Sequence, residues 1–123
     1  MLQIHENKDL SEYSSAVTGI DDPRVVESIG SDGEKTGYAV YSYTDNMVYI
    51  YRCEYGTDIY LCDGILRAVM FKAYLRGIKK AQCEACSQGQ NLFEKLKYPC
   101  NSQMQIESID SFFNECKKCK EMN

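Results

Sequence analysis

The chain has 123 residues, 44% hydrophobic and 26% charged, with a formal net charge of -4 and a pI near 5.0. At that length a single domain with one core is expected over residues 1–123. The acidic balance argues against nucleic acid, which wants a basic stripe, and the longest basic cluster, Lys117–Lys120, is a solvated helical turn at most.

No apolar run approaches the roughly 18 residues that span a bilayer, so no membrane contact is expected. The first ten residues lack a basic segment followed by an apolar core, so a cytoplasmic location is expected. The 7 cysteines should then be reduced, and their odd number fits poorly with a disulfide framework.

Residues 1–36 are the least patterned. Leu2 and Ile4 alternate with polar neighbours, as in a short strand. Asp21-Asp22-Pro23 before Arg-Val-Val-Glu-Ser-Ile-Gly predicts a helix capped by Asp, started by Pro and ended by Gly30. Ser31–Gly37 reads as a turn-rich connector. His5 is the sole histidine and has no partner at metal spacing, so a surface position is expected.

From Gly37 the period becomes two. Gly37–Tyr43 and Met47–Tyr55 predict a hairpin with a loop of about three residues, Thr44-Asp45-Asn46. On the second strand, Met47, Tyr49, Tyr51 and Cys53 share one face and Val48, Ile50 and Arg52 the other. Both faces are largely apolar, as in a central strand covered on each side. The tyrosines are read as sheet-formers, and an exposed tyrosine strand could pair two copies of the chain.

Thr57 or Asp58 caps the next element, a long helix with Leu61, Ile65, Leu66, Val69, Met70 and Ala73 on one stripe. Gly77 is placed to end it. Ile78–Ala85 reads as a strand parallel to the preceding one, which makes a right-handed βαβ unit. Gln90–Tyr98 predicts a short helix with Leu92, Phe93 and Leu96 inward, stopped by Pro99. Gln103–Ile109 alternates as a late strand. Asp110 then caps a last helix that buries Phe112, Phe113 and Cys116.

The order over residues 37–99, with Leu75-Arg76-Gly77-Ile78, Leu92-Phe93-Glu94-Lys95-Leu96 and Glu54-Tyr55, resembles the GNAT acyltransferase superfamily. The resemblance implies an α/β fold: a mixed sheet with a central β-α-β unit and flanking helices, residues 1–36 leading in and 100–123 closing it. It implies transfer of an acetyl group from acetyl-CoA to a small-molecule or peptide amine. By the same resemblance, backbone groups of Arg52, Cys53 and Tyr55 hold the pantetheine arm. Backbone N–H groups around Ile59, Tyr60, Leu61 and Cys62 hold the diphosphate at the helix start.

Several positions depart from the family pattern. The loop Thr57–Cys62 has no glycine, Arg or Gln, and Asp58 and Asp63 bring negative charge there. Phe93 stands where the family often has a proton-donating Tyr, and Cys86 where many members have Asn. No catalytic residue singles itself out; other tyrosines and Glu54 remain open as acid or base.

Two further readings stand beside acyl transfer. One is a GNAT-like interaction or ligand-binding module without CoA chemistry. The other is a zinc-stabilised domain using Cys83/Cys86 and Cys116/Cys119, although residues 87–115 between the pairs exceed the roughly 15–20 typical of ribbon sites. Burial as small hydrophobes accounts for these cysteines without metal.

Overall fold

The computed structural model describes residues 3–114. Among them the elements follow in the order β1 Gln3–Asn7, β2 Arg24–Ile29, β3 Lys35–Thr44, β4 Met47–Glu54, α1 Ile59–Leu75, β5 Lys80–Cys83, β6 Cys86–Ser87, β7 Gln90–Asn91, α2 Leu92–Lys95 and β8 Gln105–Ile106. Six of them make one sheet in the order β1-β2-β3-β4-β5-β8, and β6 and β7 form a separate small hairpin. All neighbours in the large sheet are antiparallel except β4 and β5, which α1 joins as a parallel pair. Residues 109–114 are again helical, with the Ser111 N–H on Ser108 Oγ at 3.1 Å. Ser108, rather than Asp110, therefore caps that turn. Cys116 and Cys119 lie outside the described residues.

The predicted helix at 23–30 is instead strand β2. Val25, Val26 and Ile29 are β-branched and stiff at χ1, and they sit between two antiparallel partners. The Asp-Pro signal marks a turn: Asp22 takes a positive φ of 48°, and Pro23 directly precedes β2. The β3–β4 hairpin is tighter than predicted. Thr44 pairs with Met47, leaving a two-residue loop with Asp45 at φ 47°. β5 and β8 are also shorter than the alternation suggested.

α1 follows its prediction. Asp58 caps it, and Leu61, Ile65, Leu66, Val69, Met70 and Ala73 are buried on one stripe. At its end Gly77 adopts φ +80°, and the Ile78 N–H returns to the Ala73 carbonyl at 3.0 Å. The stripe packs on Val26, Ala39, Tyr41, Val48, Ile50 and Ala81 from the sheet.

A β-bulge changes the faces of β4. Val40 pairs with Arg52 but Tyr41 pairs with Ile50, so Tyr51 is an extra residue. Beyond it the alternation shifts by one. Val48, Ile50, Cys53 and Tyr55 all face the α1 core, contrary to the simple alternation that grouped Cys53 with Met47, Tyr49 and Tyr51. Next to this stretch Gly37 lets β3 approach closely, because a Cβ there would lie 2.5 Å from the Glu54 carbonyl oxygen.

The other face of the sheet is covered by residues 8–20, a strap containing one 3-10 turn, Ser11–Tyr13. Tyr13 packs with Val25 and Val40, flanked by Leu10, Ala16, Val17 and Ile20. A buried carboxylate fixes it. Glu27, 3% exposed, accepts from the Tyr13 hydroxyl and pairs with Lys35 Nζ at 2.9 Å. Lys35 also reaches Glu12 at 2.6 Å. The strap covers β2 and β3 and leaves the tyrosine face of β4 half-buried, so the expectation of a strand covered on both sides holds only in part.

Candidate active site

Pairing between β4 and β5 runs from Met47–Lys80 to Ile50–Cys83. One more bond follows, the Glu84 N–H to the Ile50 carbonyl at 2.8 Å. Then the strands part. β4 stays with β3 as far as Glu54, aided by the bulge at Tyr51 and the close approach at Gly37. The chain after β5 turns into the β6–β7 hairpin, held by Leu92 N–H on the Ala85 carbonyl at 3.0 Å and Asn91 Nδ2 on the Cys83 carbonyl at 2.7 Å.

The parting opens a cleft of roughly 380 Å³. Tyr51, Arg52, Cys53 and Glu54 line it from β4, and Glu84, Ala85 and Cys86 from the other side. Ala16, Thr18 and Ile20 of the strap close its third wall. Backbone without a strand partner lines such a parting, and those groups need hydrogen-bond partners.

The polar residues lining the cleft are Glu54, Glu84, Tyr51, Thr18 and Arg52. Glu84 accepts from the Tyr49 hydroxyl, and the Tyr49 and Tyr51 rings lie tilted at 47° with centroids 4.9 Å apart. Burial and the bond to Glu84 push the Tyr49 hydroxyl up to about 12, so it remains a donor at neutral pH. The Tyr51 hydroxyl lies 3.1 Å from Ser42 Oγ.

Of the seven residues expected to hold a cofactor, Arg52 and Cys53 line the cleft. Tyr55 does not; its ring is 8% exposed and belongs to the α1 core. Ile59, Tyr60, Leu61 and Cys62 form the first turn of α1, but three of its four N–H donors are already used. Asp58 Oδ1 accepts from Tyr60 N–H at 3.0 Å and from Leu61 N–H at 3.3 Å, and the Asp58 carbonyl accepts from Cys62 N–H at 3.2 Å. Asp63 turns away to Arg67, whose Nε lies 2.9 and 3.0 Å from its two oxygens, and takes the Tyr98 hydroxyl as well. Its charge is therefore matched by Arg67 rather than left at the helix start.

Phe93 is fully buried and packs on Tyr98 at 5.5 Å, so the position of the family's proton donor is part of the core. The Tyr98 hydroxyl is pushed well up by burial and by Asp63. Cys53 and Cys62 meet beneath the cleft. The bond Cys53 gives Cys62, then burial, pushes the Cys53 thiol far up, and the same bond holds Cys62 below its ordinary value. Burial pushes Cys83 up to about 12. These three thiols act as small core side chains. Cys86 is exposed while Cys83 is buried, and among the described residues no group of three or more His, Cys, Asp or Glu is arranged to hold a metal. Nothing there supports the zinc reading. His5 is exposed and distant from the cleft in the fold, on β1 at the far edge of the sheet.

Sequence reasoning missed Glu84, Tyr51 as a cleft residue, and the strap wall. Glu84 sits between two cysteines at a strand end and carries no motif. No helix among the described residues is long and apolar enough to cross a membrane.

No family model and no curated protein matches the chain. Solved structures do. An inferred acetyltransferase from Exiguobacterium superposes at TM-score 0.60 with 9% identity, over 94% of this chain and 98% of that one. The PaiA N-acetyltransferase from Thermoplasma acidophilum, in complex with coenzyme A, gives TM-score 0.57 at 11% identity over 80% and 69%. An inferred acyl-CoA N-acyltransferase from Klebsiella pneumoniae gives 0.55 at 12% identity over 68% and 70%. Nourseothricin acetyltransferase matches over 50% of this chain and only 39% of its own length, at TM-score 0.45. At these identities the likeness is one of fold: a mixed α/β sheet of the acyl-CoA N-acyltransferase type, as the residue order had suggested.

Proposed function

We propose that this GNAT-like fold transfers an acyl group, acetyl in the simplest case, from a thioester to an amine bound in the β4–β5 cleft. One observation supports the reading above all others: the two parallel strands part after Ile50–Cys83 and line a cleft of roughly 380 Å³. Acetyl-CoA is the donor that the fold suggests, and one structural neighbour was solved with coenzyme A.

In this reading the thioester arm lies along β4, taking hydrogen bonds from backbone at Arg52 and Cys53 as an added strand would. The amine enters beside Tyr51 and Glu84. Its nitrogen attacks the thioester carbonyl carbon, forming the C–N bond. The C–S bond breaks and its electron pair leaves on sulfur. The Glu84 carboxylate takes the proton from the new ammonium and passes it to solvent, and the thiolate is protonated from water. Tyr49, donating to Glu84, positions that carboxylate.

Titration calorimetry with acetyl-pantetheine and acetyl-CoA, followed by thiol release with a panel of amines, tests this. A ligand at 100 times its dissociation constant adds about 2.7 kcal/mol of stability, so a melting curve serves as the first screen. Saturable binding of either thioester and amine-dependent thiol release is expected. If neither thioester saturates at millimolar concentration, acyl transfer is ruled out. A second reading, a binding module without acyl transfer, draws on the occupied donors at the start of α1. It predicts binding without thiol release for every amine.

A further inference from the structure

We infer that the donor is held by its pantetheine arm alone, so that thioesters lacking a nucleotide diphosphate are accepted as readily as acyl-CoA. This rests on the acyl-transfer reading above. A diphosphate at a helix start needs two things, open N–H donors and an absence of negative charge. Here three of the four donors, those of Tyr60, Leu61 and Cys62, are taken, and a carboxylate sits among them.

The chain passes from β4 to α1 in one turn, so an arm leaving the cleft past Glu54 meets the first turn of the helix. There the Asp58 carboxylate already accepts from Tyr60 and Leu61, and the Asp58 carbonyl accepts from Cys62. The helix has used its own anion to satisfy the donors a phosphate would take. Asp58 is exposed, so its charge faces the incoming group. Residues 57–62 contain no glycine to let a phosphate reach the backbone. The charges that act on Cys62 in this turn are Asp63, already paired with Arg67, and Lys95.

The cleft itself remains suited to a neutral arm. Its walls offer backbone at Arg52 and Cys53 and apolar surface at Ala16, Ile20 and Ala85. An acylated pantetheine arm, with two amides, its hydroxyls and a thioester, carries no charge that would need an ionic partner.

The test compares dissociation constants of acetyl-pantetheine and acetyl-CoA for the wild-type chain and two variants, by calorimetry. In wild type the two ligands should bind within threefold of each other. Asp58→Gly keeps an acceptable cap while freeing both donors, and should tighten acetyl-CoA about tenfold with acetyl-pantetheine unchanged. Asp58→Asn keeps the cap and removes the charge, and should tighten acetyl-CoA about threefold. Acetyl-CoA binding more than threefold tighter than acetyl-pantetheine in wild type overturns the inference but leaves acyl transfer standing. So does an unchanged ratio in both variants. If neither ligand binds wild type, the acyl-transfer reading falls and this inference with it.

Discussion

On the α1 side of the sheet, Ile65, Leu66, Val69 and Met70 are fully buried against strands whose inward residues are also apolar. On the strap side, the buried apolar residues are only Tyr13, Val25 and Val40, and the anchor is a carboxylate, Glu27, bonded to Tyr13 and Lys35. The first side is held by area removed from water, which is roughly additive and insensitive to pH. The second is held by a few directional bonds around one buried charge, which fail together when one partner is lost.

Breaking the apolar side should cost most. Leu66→Ala leaves a cavity in a fully buried site and should lower global stability by about 3 kcal/mol in denaturant unfolding. Gly37→Ala should cost about 2 kcal/mol, because its Cβ meets the Glu54 carbonyl at 2.5 Å and forces β3 and β4 apart. Its melting temperature should fall well below that of a control alanine at Gly64 in α1, whose Cβ would meet only Ile4 Cδ1 at an ordinary 3.7 Å.

Tyr13→Phe removes one bond to a buried carboxylate and should cost about 1.5 kcal/mol, felt mainly in the strap. Amide exchange should accelerate over residues 10–20 and little in α1. Equal acceleration in both would show that the two faces are not held separately.

The smallest effect at neutral pH comes from acid. Burial raises the Glu27 carboxyl, but bonds from Tyr13, Lys35 and Asn7 outweigh it and hold the group below its ordinary value. A depressed folded-state value contributes stability that is present above the unfolded value and lost as pH falls through the folded one. Strap amides should therefore lose protection below the usual glutamate range while α1 amides keep theirs. Glu27→Gln should abolish that difference.

The same contrast explains what could be read in advance. Residues 37–85 announce themselves because two strand-forming runs rich in Tyr, Val and Ile are followed by one apolar stripe of period 3.6 along α1. β2 escaped because it is buried on both faces with a polar residue on each, Glu27 on the strap side and Ser28 on the other, which breaks the apolar alternation, and because Asp22-Pro23 is also a helix start. Its strand state is decided by pairing with β1 and β3, which no local window contains. Arg52 and Cys53 were placed at the cleft by the resemblance, whereas Glu84 and the strap wall depend on where two strands separate. The occupied start of α1 was half legible: Asp58 could be seen as a cap, but not that its one oxygen takes two of the turn's donors.

The extra residue at Tyr51 behaves as a dislocation does in a crystal. A lattice with one inserted row is unchanged far away on either side, yet the two halves are out of phase. β4 is in the same state: its first half and its last half each obey strict alternation, and only their relation is shifted. Such a defect cannot relax by small motions, because removing it means moving Cys53 and Tyr55 through the strand to the opposite side. The opening between β4 and β5 is thus locked in by topology, and it persists however tightly the surrounding core is packed.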